Sequence, residues 1–80
     1  MNTYKISNIP LRKYKRFLIE MGLTHERTKG GHESWHKEGL GRNVTLPSHI
    51  DPVKPSVIEE NNETLGLTKK QFIELFYKLK

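Results

Sequence analysis

Lys29 to Gly41 reads "KGGHESWHKEGLG", and two local structures compete for it. His32-Glu33-Ser34-Trp35-His36 spells H-E-x-x-H, the pattern in which two histidines of a zinc peptidase reach one metal. On a helix, residues i and i+4 stack on one face with a rise of about 6 Å, so both imidazoles can bind one ion. On a strand the same two residues share a face but stand about 13 Å apart, too far for one metal. The flanks choose between them. Gly30-Gly31 on one side and Gly39 with Gly41 on the other leave seven residues between turns, the length of a strand. A metalloprotease would also need a third ligand and a substrate cleft. The stretch therefore predicts a tight glycine turn that delivers His32 to the start of a strand, and no metal site or cofactor is expected.

Working outward, Thr24–Lys29, His32–Glu38 and Arg42–Pro47 read as three short strands, with Gly30-Gly31 and Gly39-Leu40-Gly41 as the turns between them. Trp35 fits the apolar face of the second strand, so His32, Ser34 and His36 share the opposite one. In the third strand Val44 and Leu46 point one way, Asn43 and Thr45 the other. Upstream, Leu11, Tyr14, Phe17, Leu18 and Met21 line one face of a helix that starts near Pro10 and stops at Gly22, with Asn8 as a candidate cap. Downstream, Pro47 to Pro55 carries three prolines and reads as a loop. A helix from about Pro55 to Leu65 follows, with Ser56 and Glu59 at capping-box spacing and Gly66 as its stop. A last helix starts at Thr68, where Thr68 and Gln71 repeat that spacing, and should bury Phe72, Leu75, Phe76 and Leu79. The order α-β-β-β-α-α predicts an α+β fold with helices on one face of a three-stranded antiparallel sheet.

The 80 residues are expected to form a single domain spanning 1–80. There is no cysteine, which excludes a disulfide scaffold and fits a reducing, cytoplasmic setting. Met1 to Asn8 is mixed and polar, unlike a signal peptide, and no apolar run approaches the length of a membrane span. A net charge of +5 favours a polyanion or an acidic protein as partner.

A histidine placed just after a glycine turn can exchange a proton near neutrality. Glycines there let an anion approach backbone N–H groups closely. Lys29 precedes the turn, and Arg27 and Arg42 fall on the flanking strands, so cations can gather near the imidazole. Beside phosphate-binding cations, the chemistry that needs no metal is RNA cleavage through the 2′-hydroxyl. A solvated surface histidine would show the same spacing.

Four segments in order add a resemblance. "TKGGHESWHKEG", "RNVTLPSH" and "GLTKKQFIEL", behind a short first helix, resemble the HicA family of bacterial toxins. Its pattern has G-S-H at the start of the second strand, an aromatic soon after, V-x-V/L-P-x-H ending the third, and G-I/L-S/T-x-x-x-F in the last helical part. Gly30-Gly31-His32, Trp35, Val44 to His49 and Gly66 to Phe72 match in register, so the resemblance covers Pro10 to Leu79. It departs at Gly31, where most members have serine. The resemblance implies a double-stranded-RNA-binding-domain-like fold, mRNA interferase activity within a type II toxin–antitoxin pair, and inhibition by a HicB-type antitoxin. The family's catalytic histidine corresponds to His32, and its P-x-H position to His49. The expected site is then His32 as general base, with Lys29, Gly30 and Gly31 positioning the phosphate. Arg27 or Arg42 would stabilise developing charge, and His49 would join the RNA contacts. The group that protonates the leaving oxygen is not named by the sequence. Two alternatives stay open: a non-catalytic double-stranded-RNA-binding module, with Lys69-Lys70 at the start of its last helix, and a basic protein-interaction domain.

Overall fold

The computed structural model describes residues 6–79; Met1–Lys5, part of the polar N-terminal stretch, and Lys80 lie outside it. The elements follow in the order α1 (Leu11–Glu20), β1 (Thr24–Lys29), β2 (His32–His36), β3 (Val44–Pro47), α2 (Pro55–Leu65) and α3 (Lys69–Phe76). The three strands form one antiparallel sheet in the order β1-β2-β3. This is the α+β arrangement that the periodicities predict.

Alternation sorts the sheet into two faces. Trp35, Val44 and Leu46 are buried against the helices, while His32, His36 and Thr45 point away and are exposed. All six side chains of the edge strand β1 are exposed. Tyr14, Phe17 and Leu18 of α1, Ile58 of α2, and Phe72, Ile73 and Phe76 of α3 complete the core with Ile6, Ile9, Leu23 and Val53. Its centre is aromatic: Phe17 meets Phe72 edge to face with ring centroids 5.0 Å apart, and Phe72 stacks on Phe76 at 5.3 Å. Each such ring, fully buried, contributes about 1.5–3 kcal/mol through removal from water. In α3 the third buried position is Ile73 rather than Leu75, which is 39% exposed.

Several local features differ from the sequence reading. β2 ends at His36 and β3 begins at Val44, because Lys37 to Asn43 folds into a loop closed by the Leu40 N–H on the Lys37 carbonyl at 3.1 Å. The Lys37 ammonium donates to the Met21 carbonyl at 2.9 Å, where the C-terminal end of α1 favours a cation. Asn8 does not cap α1. The Leu11 N–H donates instead to Asp51 Oδ1 at 2.9 Å, from the loop before α2. Beside it the Val53 N–H donates to the Ile9 carbonyl at 2.8 Å in an isolated bridge. The Ser56–Glu59 capping box of α2 is absent. Pro55 takes the first helical position, so Lys54 stands at the cap and Ser56 falls inside the helix. In α3 the Thr68–Gln71 capping box forms with both bonds, at 3.1 and 2.9 Å.

Two polar side chains join the layers. Asn61 of α2 is buried, and its Nδ2 donates to the Tyr14 hydroxyl oxygen at 3.2 Å and to the Thr45 carbonyl at 3.0 Å. Burial pushes the Tyr14 hydroxyl up to about 12, against the opposing pull of the Asn61 bond. Glu33 is 6% exposed on the helix-facing side of β2. Its carboxylate pairs with Lys15 of α1 at 2.8 Å and accepts from Trp35 Nε1 at 3.1 Å.

Candidate active site

The site begins with the turn. Gly30 and Gly31 have φ of 59° and 79°, the left-handed values that a two-residue hairpin between twisted strands requires. Any other residue would hold that backbone at a cost of about 1–2 kcal/mol. The turn sets Lys29 directly across from His32, and the ladder continues with Arg27 opposite Ser34. Directly paired side chains share a face with Cβ atoms about 4.5–5.5 Å apart. Lys29, Arg27, His32 and Ser34 therefore stand together on the open face of the sheet. On its other side His32 pairs with Pro47 of β3.

His32 is exposed, and its Nδ1 lies 3.3 Å from the Gly30 carbonyl oxygen. A carbonyl oxygen only accepts, so this contact makes Nδ1 the donor and leaves the lone pair of the neutral ring on Nε2. The Gly31 carbonyl accepts twice from Ser48, from its N–H at 2.8 Å and its hydroxyl at 2.9 Å. Both glycine carbonyls thus have donors, which lowers the negative charge an approaching phosphate would meet. The same Ser48 bonds draw the end of β3 onto the turn. His49 lands there: a Cβ built on Gly31 would lie 3.6 Å from its Cδ2.

No protein-family model, curated protein or solved structure matches this chain.

Of the cations read from the sequence, Lys29 and Arg27 join His32, and Arg42 does not. Arg42 lies in the loop before β3, and its Nε donates to Thr64 Oγ1 near the end of α2 at 2.9 Å. His32 stands opposite Pro47 at the other end of β3, and the strand alone puts about 10 Å between those ends. The proximity of Arg42 to the imidazole is therefore corrected. The H-E-x-x-H stretch lies on β2, so His32 and His36 occupy opposite ends of one strand. His36 Nδ1 is engaged by Asn43 Oδ1 at 3.0 Å. His25 packs edge-on to Trp35 at 5.5 Å between ring centroids, with its Nε2 2.8 Å from Thr28 Oγ1. Among the described residues, no three or more His, Cys, Asp or Glu side chains gather as a metal would require.

The arrangement offers a lone-pair nitrogen, a facing ammonium and a guanidinium one pair away, on an open surface rather than in a cleft. A groove lined by Pro10, Arg12, Lys13 and Arg16 lies on α1, away from the histidines. An extended polyanion needs no enclosing pocket, so the open face at the turn is a candidate site as well as that groove. Sequence reasoning missed Glu33 as a buried charge, although alternation with Trp35 puts it on the core face. His49, named with the RNA contacts through the resemblance, does adjoin the turn, a neighbour relation that strand spacing alone does not give because it depends on the register of β3.

Proposed function

We propose that this protein is a metal-independent endoribonuclease, an mRNA interferase of the HicA type with a double-stranded-RNA-binding-domain-like fold. The observation that supports it most is His32: its Nδ1 is oriented by the Gly30 carbonyl, its Nε2 is left as the base, and Lys29 faces it across the hairpin. In this reading Nε2 takes the proton of a 2′-hydroxyl, and the resulting alkoxide attacks the adjacent phosphorus. Lys29 and Arg27 hold the phosphate and stabilise the charge that builds on it. The physiological partner is then an acidic HicB-type antitoxin that covers the open face and competes with RNA for the same cations.

The test is incubation of the purified protein with labelled single-stranded RNA. Cleavage should persist in EDTA and fall about 10²–10⁴-fold in His32→Ala, the usual worth of a general acid–base group. An EDTA-sensitive activity, or full activity in His32→Ala, would overturn the assignment.

A second reading has its own observation. Lys69 and Lys70 are exposed in the first turn of α3, where a non-catalytic module would meet the phosphates of duplex RNA. Binding of duplex RNA without cleavage, abolished by Lys69→Gln with Lys70→Gln and untouched by His32→Ala, would establish that reading instead.

A further inference from the structure

Cleavage through a 2′-hydroxyl needs two proton transfers, and His32 performs one. As the 2′-oxygen bonds to phosphorus, the P–O5′ bond breaks and its electron pair goes to O5′. That oxygen must receive a proton from a second group, or it leaves as a costly alkoxide. Resting on the ribonuclease reading above, we infer that His49 is that group: its imidazolium delivers the proton to O5′. The products are a 2′,3′-cyclic phosphate and a free 5′-hydroxyl. One proton has moved from the 2′-hydroxyl to His32 and one from His49 to O5′, and exchange with water restores both rings.

Three observations single out His49. First, it adjoins the turn, with its Cδ2 3.6 Å from where a Gly31 Cβ would sit, one residue from His32. Second, the two Ser48 bonds to the Gly31 carbonyl hold the residue before it, so its placement follows from the sheet and not from a free loop. Third, the other histidines are elsewhere. The chain has four; His36 is bonded to Asn43 at the far end of β2, and His25 packs on Trp35. Lys29 is nearer than either, but an alkylammonium is a weaker acid than an imidazolium and so a poorer proton donor.

The experiment compares two single-stranded substrates, ordinary RNA and RNA with sulfur replacing the bridging 5′-oxygen at the cleaved linkage. A thiolate leaves without being protonated, so the sulfur substrate needs the base but not the acid. His49→Ala should lose about 10²-fold or more on ordinary RNA and cleave the sulfur substrate within about 3-fold of wild type. His32→Ala should be impaired on both. If His49→Ala is equally impaired on the two substrates, His49 only binds or positions RNA. If it is unimpaired on both, it has no part in the reaction. Either result overturns this inference and leaves the ribonuclease reading standing. A wild-type protein that cleaves neither substrate overturns both.

Discussion

Glu33 stands one residue from His32 and faces the other way, into the core, with Lys15 and the Trp35 indole as its partners. Burial alone would push its carboxyl up, but the bonds from Lys15 and Trp35, with the charges of Lys15 and His25, outweigh that and hold it below the ordinary value. A carboxyl depressed in the folded state adds stability above its unfolded pKa, and that stability is lost as pH falls through the folded value. Urea unfolding midpoints measured across the acid range should therefore fall with pH in the wild type and fall less in Glu33→Gln; equal acid sensitivity would mean the pair contributes nothing. Lys15→Met should cost about 1–3 kcal/mol, because it leaves a buried carboxylate without its cation. Solvent reaches the Lys15 ammonium, so the loss stays below that of a fully enclosed pair. Gly31→Ala should cost about 1–2 kcal/mol through backbone strain. Gly41→Ala, with open space at its Cβ and no left-handed φ, should be neutral in the same denaturation series. The glycine turn and the alternation around Trp35 were legible in the sequence, since both depend on neighbours in the chain. The ion pair was not: its cation comes from α1, 18 residues away, and a carboxylate in an alternating strand reads as surface until that partner is placed.

The helices divide by where their ends find partners. α3 carries its own cap, and Thr68→Ala should cost about 0.5–2 kcal/mol, read as a shift of the thermal midpoint. α1 is capped by Asp51, across 40 residues of chain. Asp51→Ala should therefore destabilise by a comparable amount, although that residue belongs to no helix, and an unchanged midpoint would show the bond to be dispensable. The contrast explains what could be read beforehand. A capping box is a four-residue pattern and was recognised in α3. The cap of α1 depends on how the proline loop returns to the start of the helix, which no local spacing records. The same spacing misled at α2, where Pro55 displaced Ser56 from the cap. Arg42 is a similar case, because the loop that turns it toward Thr64 is built by tertiary contacts rather than by strand periodicity.

Across the whole molecule the sheet carries helices and core on one face and Lys29, Arg27 and His32 on the other. For RNA binding this separation sets a specific expectation. Affinity should fall with salt at roughly −0.7 in the log–log slope per phosphate contacted on a single strand. Lys29→Gln and Arg27→Gln should each reduce the slope by about one contact. Arg42→Gln should leave it unchanged, because its guanidinium is tied to α2 at the far end of the sheet. A slope that responds to Arg42 and not to Lys29 would place the RNA elsewhere. Phe72→Ala should cost about 3–5 kcal/mol, a large fraction of the 5–15 kcal/mol that stabilises a typical domain. The bridge between Ile9 and Val53 has a further consequence, for synthesis. The strands that carry the histidines all lie within the loop of chain that this bridge closes. The aromatic centre joins Phe17, near one end, to Phe72 and Phe76, near the other. A nascent chain has no complete core until α3 has left the ribosome, so protease resistance of stalled chains should appear abruptly once Phe76 emerges, and no shorter product should hold the two histidines together.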